Sequence, residues 1–412
     1  PIYAKLADTI GRKPVILVGV GLFLTGSVLC GFGWNMTSLI AFRVVQGLGA
    51  GAVAPMSMTI VGDIYTVAER AVVQGYIASV WAIASVVGPA LGGLFSQFTT
   101  WRWIFWVNIP LSLVAAWSIW RHYHEHVESH RHRIDYAGAA ILTLGLSTII
   151  LALLEGGNAW AWLSWQSLTS FAVGAAALVA FVFVERRAAE PVLDVAILRR
   201  PLILTTTLIS LGIGAIITGV TSFVPSYLEN SLQVVPLVSG AAVAAMTLGW
   251  PLAASQAGRV YLRHGFRFTV LLGSGIATLG AIGLAAVGPW PNPWSIAVVT
   301  FVMGFGMGWT AAPSLIAAQN SVPWSERGVV TGGNMFARSA GSAVGVAVFG
   351  AIANNLIAAG AGEHDYATIV HASTAVFIAA AVAAALTWLA GWRMPPGGVD
   401  APVYNQPDAM LE

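Results

Sequence analysis

Glu69-Arg70-Ala71-Val72-Val73-Gln74-Gly75 returns 257 residues later as Glu326-Arg327-Gly328-Val329-Val330-Thr331-Gly332. The likeness extends on both sides: Gly88 falls on Gly345, Gly93 on Gly350, and Gly47, Gly49 and Gly51 on Gly304, Gly306 and Gly308. At a shift of 254, Gly11 returns as Gly265 in another short basic loop. Glycine is common, at 45 of 412 residues, so a single match carries little; matches in order across three hydrophobic segments mark a duplication. The shift crosses an even number of segments, so the two copies run in the same direction. Parallel halves related by an axis along the membrane normal are a transporter architecture with the substrate site between them. A duplicated scaffold without transport is the alternative.

The solvent for these segments is lipid. The chain is 57% hydrophobic and 9% charged, where soluble domains carry roughly 25% charged residues. The net charge of +2 is too small for a nucleic-acid binder, and the single cysteine, Cys30, excludes an internal disulfide framework. In hydrocarbon the backbone must satisfy its own hydrogen bonds, so apolar runs of about 20 residues read as helices. Such runs lie at about 14–33, 37–61, 71–97, 103–120, 136–154, 167–184, 202–225, 236–256, 268–288, 295–318, 328–353 and 367–390. They predict an all-α polytopic membrane protein, with an incomplete span at Pro1–Ala7 that implies a segment upstream. A transmembrane β-barrel would show alternating strands of about ten residues, which these unbroken runs do not.

Orientation follows from the basic residues. Of 19 Lys and Arg, all but Arg43, Arg102 and Arg338 fall in one set of alternate loops or in the tail. That side is expected to face the cytoplasm, and Trp101, Trp103, Trp106, Trp160, Trp162, Trp165, Trp290 and Trp294 line the opposite interface. The expected location is the plasma (inner) membrane of a bacterium.

Four segments carry a family resemblance. Tyr3-Ala4-Lys5-Leu6-Ala7-Asp8-Thr9-Ile10-Gly11-Arg12-Lys13 resembles the loop motif G-x-L-A-D-x-x-G-R-K of the major facilitator superfamily, with Ala4 in place of the first glycine. Arg43-Val44-Val45-Gln46-Gly47 resembles its R-x-x-Q-G motif, and Gly88-Pro89-Ala90-Leu91-Gly92-Gly93 the G-P-x-x-G-G motif of drug:proton antiporters. Trp101 through Pro110 is similar to the opening of the sixth helix in 14-helix drug exporters. Six-helix halves would repeat after about 200 residues. A shift of 257 leaves room for two more helices, the runs at 136–154 and 167–184. The resemblance thus implies the major facilitator fold: two six-helix pseudo-repeats joined by two extra helices, with the first helix and part of the second lying before Pro1. The expected divisions are an N-terminal bundle at 1–120, a linker with two spans at 121–200, a C-terminal bundle at 201–393 and a tail at 394–412.

The function it implies is proton-coupled export of drugs or amphiphilic small molecules, by a protein that needs no cofactor and works as a monomer. A facilitator-family exporter or uniporter of one endogenous metabolite is the alternative. Arg43, inside a span, would carry proton coupling by pairing with a deprotonated acid on the upstream helix; snorkelling to an interface is the plainer reading. Asp8, Gly11, Arg12, Lys13 and Asp63 would form a cytoplasmic latch. Asp8 would sit at the N-terminus of the helix starting near Gly328, and Arg12 would pair with Asp63. Gly88, Pro89, Gly92 and Gly93 would bend the fifth helix; in the repeat the proline position is Val346.

Gln46, Trp250, Trp309 and Arg338 are candidates for the cavity. Arg338 requires a carboxylate or a carbonyl as partner. The pairs Gly47/Gly51, Gly88/Gly92, Gly304/Gly308 and Gly341/Gly345 predict close helix contacts. Five of eight histidines stand between His122 and His132, as a metal site or as a solvated loop. An ATP-driven pump would need a G-x-x-x-x-G-K-[ST] loop, and Lys5 and Lys13, the only lysines, stand in none. An integral-membrane enzyme would need clustered His, Asp or Glu at the interface, and the acids are scattered.

Overall fold

Gly11 adopts φ 96°, a conformation open to glycine at little cost, and there the chain breaks between its first two helices. A computed structural model describes residues 2–125, 135–156, 159–187, 195–360 and 365–396. Among them are α1 (Ile2–Ile10), α2 (Arg12–Gly31), α3 (Met36–Ile64), α4 (Val67–Phe98), α5 (Trp103–Trp106), α6 (Asn108–His122), α7 (Tyr136–Glu155) and α8 (Trp165–Arg187). There follow α9 (Val195–Leu198), α10 (Pro201–Leu232), α11 (Pro236–His264), α12 (Phe266–Val287), α13 (Pro293–Asn320), α14 (Trp324–Ala359) and α15 (Tyr366–Trp392). Every apolar run predicted as a span forms a helix, and ten of the described helices are long and apolar enough to cross a membrane.

Helix starts are written locally. Asn35 accepts from the Ser38 amide at 2.7 Å to cap α3, and Asp365 accepts from the Thr368 amide at 2.8 Å to cap α15. Thr66 and Glu69 form a reciprocal capping box on α4. Proline opens α10, α11 and α13, where its missing N–H costs nothing. Gly265, at φ 84°, repeats at the α11–α12 junction the break that Gly11 makes between α1 and α2.

The six helices α10 to α15 pack as one bundle around Ile216, Val220, Tyr227, Met246, Ala281, Met303 and Phe377. The Tyr227 hydroxyl donates to the Gly288 carbonyl at 2.6 Å. Helices α2 and α3 form a tight pair with α6 against α2, and α4 lies along α11. Helices α7 and α8 pack on each other, and α7 also touches α14.

The predicted glycine contacts divide. A Cβ on Gly304 would collide with the Met246 carbonyl, and one on Gly341 with the Leu211 carbonyl; at Gly345 it would meet the Ala215 Cα at 2.6 Å. Gly47 and Gly88 meet no neighbour within 4 Å, and Gly51 meets only Tyr3 at 3.9 Å. In α3 the close approach belongs instead to Gly49, whose missing side chain admits the Phe23 backbone. The expectation of a tight contact at Gly47/Gly51 is therefore corrected: the pair lies on the exposed face of α3, one residue away from the buried one. Gly304→Ala is expected to cost about 1–3 kcal/mol by overpacking. Gly47→Ala should be neutral or gain up to about 1 kcal/mol of helix propensity. Thermal unfolding midpoints in detergent should separate the two, and equal shifts would refute the assignment.

Candidate functional site

At the basic end of the molecule, α2, α3, α4, α13 and α14 bring their termini together. Arg12, 1% exposed, opens α2 and forms an ion pair with Asp63 near the end of α3. The loop before it is held from a distance. Glu125, just beyond α6, accepts from the Arg12 amide at 2.7 Å and the Lys13 amide at 2.9 Å. This carboxylate caps the positive end of α2. A Cβ at position 11 would stand 2.9 Å from the Glu125 Oε2, so Gly11 is needed for space as well as for its φ. Lys13 donates to the Trp120 carbonyl at 2.9 Å.

The seam between the two bundles adjoins this pair. Arg70, at the start of α4, donates to Asn320 at the end of α13 at 3.0 Å and to the Tyr65 carbonyl at 2.9 Å. It also donates to the Gly62 carbonyl, which Arg327 of α14 reaches at 3.3 Å. Gln319 spans the same gap, donating to Thr331 at 2.9 Å and to the Met58 carbonyl at 3.5 Å. Asp63 lies in the field of Arg12, Arg327 and Arg70 together. Burial first, and the Arg327 charge second, lower the pKa of Arg70 to about 10, which leaves it charged at neutral pH.

Glu125, Arg70, Gln319, Asn320 and Arg327 were not among the residues expected here. The repeat held the signal. At the shift of 257, Arg70 corresponds to Arg327 and Asp63 to Asn320. The copies meet crosswise, Arg70 on Asn320 and Arg327 beside Asp63 and Gly62. Two expectations need adjustment. Helix α14 starts at Trp324, not near Gly328, because Pro323 stands at its N-cap. Asp8 lies in α1, which packs against α14, but its side chain is outside the described set.

Within the membrane the candidates are spread. Arg43 is exposed on α3 and donates to Gln46 at 3.0 Å, with its guanidinium 5.5 Å from the Phe105 ring. Gln46 is buried and donates to Ser27 at 2.6 Å. Arg338 of α14 lies 5.9 Å from the Trp250 ring of α11. Its buried Nε meets no acceptor, so the carboxylate or carbonyl expected for it is replaced by an aromatic face. On insertion scales a guanidinium at mid-membrane costs about 2.5–3.5 kcal/mol, and a desolvated cation–π contact returns about 2. Trp309 packs on Phe305 at 5.3 Å with its indole N–H unpaired. Gly88, Pro89, Gly92 and Gly93 all lie in α4, which runs unbroken through them. His122 and His124 border α6, while His126, His130 and His132 fall outside the described residues. No cluster of metal-ligating side chains occurs among the described residues.

The Major Facilitator Superfamily model matches residues 1–346. The chain belongs to that superfamily. It holds ten helices long and apolar enough to cross a membrane among its described residues, and its curated relatives are named as transporters and efflux pumps. Among its relatives is the multidrug transporter protein MdtP of Bacillus subtilis (strain 168), 31% identical over 354 residues. The match covers 86% of this chain and 65% of MdtP, so this chain spans just under two thirds of that relative's length. Multidrug resistance protein 3 of the same strain is 30% identical, with 86% of this chain and 70% of the relative covered. The proton:xylose symporter XylE shares the fold at a TM-score of 0.62 and 12% identity, over 96% of this chain and 82% of XylE.

Proposed function

We propose that this facilitator is a proton-coupled exporter of drug-like or amphiphilic molecules, of the 14-helix class, working by alternating access. The observation that carries this reading is the seam. Arg70, Arg327 and Gln319 tie α3 and α4 to α13 and α14 at the basic end, which by charge bias faces the cytoplasm. A seam there closes the cytoplasmic side, the state in which an exporter releases its cargo outward. The names of the two Bacillus relatives support drugs as cargo. The paired helices α7 and α8, placed between α6 and α10, support the 14-helix class.

In this reading Asp8, Gly11, Arg12, Lys13 and Asp63 latch the cytoplasmic side, with Glu125 positioning their loop. Gly88, Pro89, Gly92 and Gly93 shape α4 at the cavity, and Gln46, Trp250, Trp309 and Arg338 face it. Arg43 carries proton coupling. It would exchange Gln46 for a deprotonated carboxylate and release that carboxylate on protonation.

The test is export from an efflux-deficient bacterial strain across a compound panel, with and without a protonophore. Protection that survives the protonophore would defeat proton coupling, and protection against a single metabolite class would favour the narrow exporter. Arg43→Ala should abolish proton-driven uptake into inverted vesicles while the thermal midpoint stays within a few degrees. Uptake at the unaltered rate would remove Arg43 from the mechanism.

A further inference from the structure

Arg338 has a buried, unmatched Nε, and no described carboxylate of its bundle stands beside it. Helix α11 packs along α13 and reaches across to α4, and α14 packs along α10 and reaches across to α3. Arg338 on α14 and Trp250 on α11 meet at 5.9 Å, so together they bridge those two helices. The carboxylates of α10 to α15 stand at helix ends: Glu229 near the end of α10, Glu326 in the first turn of α14, and Asp365 at the cap of α15. Glu326 is bound by Arg200 at 2.7 Å. It is also twelve residues from Arg338, or about 18 Å along the helix. Among the described residues, no acid of the bundle is placed to neutralise Arg338.

The groups around Arg338 add donors. Asn334, one turn earlier on the same face of α14, is 1% exposed; its carbonyl accepts from the Ser210 hydroxyl, and its amide nitrogen has no acceptor. The Arg338 Nε is likewise buried and unmatched. Unmatched donors in a low-dielectric wall are costly until an acceptor arrives. A guanidinium backed by an aromatic ring accepts a planar carboxylate through two parallel N–H bonds.

We propose that Arg338, with Asn334 beside it and Trp250 behind it, is a subsite for the anionic group of an amphiphilic substrate. The proposal rests on the exporter reading and narrows its cargo: carboxylates and sulfonates are taken, and lipophilic cations are repelled by the same charge.

The test uses binding, so that it stands apart from export. Purified protein in a non-ionic detergent is titrated by calorimetry, with micelle-only titrations subtracted. The probes are 8-anilinonaphthalene-1-sulfonate and N-phenyl-1-naphthylamine, which is the same molecule without its sulfonate. Arg338→Gln is expected to weaken the sulfonate by about tenfold or more and the neutral amine by less than about twofold. Equal losses for both probes, or no loss for the sulfonate, would overturn the subsite.

A measurement on the unaltered protein guards against a variant that fails to fold. Laurate should displace the sulfonate probe and dodecyltrimethylammonium should not; equal displacement by both refutes the proposal. If export fails in cells while Arg338-dependent sulfonate binding persists, the exporter reading falls and the subsite stands. The converse result discards the subsite alone.

Discussion

Asp63→Ala is expected to destabilise the protein by about 3–5 kcal/mol, the cost of breaking a buried ion pair from one side. The substitution leaves three guanidinium groups, Arg12, Arg70 and Arg327, crowded at the basic end without the carboxylate that faces them all. Arg12 has little access to water, at 1% exposure, so it cannot recover the loss by hydration. Arg12→Ala should cost less, because the remaining Asp63 keeps the other two arginines nearby. The double variant should lose less than the sum of the singles by about 0.5–3 kcal/mol, since the two side chains touch. Thermal or denaturant unfolding of the four proteins closes the cycle. Strict additivity would mean that the pair contributes nothing as a pair.

Arg70→Ala should act on conformation more than on stability. Its bond to Asn320 crosses between the bundles, whereas its bonds to the Tyr65 and Gly62 carbonyls stay on its own side. A hydrogen bond to a charged donor is worth about 1.5–3 kcal/mol, or roughly 10- to 150-fold in the balance between closed and open seams. Spin labels at Ile64 and Ser321, both exposed at the basic end, would report that balance as a distance distribution. The variant should populate a longer distance, Arg70→Lys should fall between, and Arg327→Ala should behave like Arg70→Ala. An unchanged distribution in both alanine variants would show that these arginines do not hold the seam.

Much of this was legible in the chain because membrane helices are local objects. A run such as Phe266–Val287 satisfies its own backbone and meets lipid with its own side chains, so hydropathy alone places it. Gly11 and Gly265 could be paired by spacing, and both prove to be breaks with positive φ. Contacts between helices were less legible, since a G-x-x-x-G spacing marks a small-residue face without naming its neighbour. That is why Gly304/Gly308 is packed against α11 while Gly47/Gly51 is exposed. Glu125 was not legible for a similar reason: it lies 113 residues from the amide it caps, inside a histidine-rich stretch with no spacing that points to that amide.

The sequence by itself determined that this protein lives in lipid, which loops carry the positive charge, and that a pattern of residues recurs at a shift of 257. Those properties depend on hydrophobicity, charge count and repetition, none of which needs a partner in space. The tertiary structure decided what the repeated arginines do. Arg70 and Arg327 occupy equivalent places in the two copies, yet they meet around one carbonyl, that of Gly62, because the bundles face each other there. The folded arrangement also left Arg338 beside a tryptophan and away from every described acid of its bundle. A charge count cannot reveal such isolation; it depends on about 18 Å of helix separating the residue from Glu326.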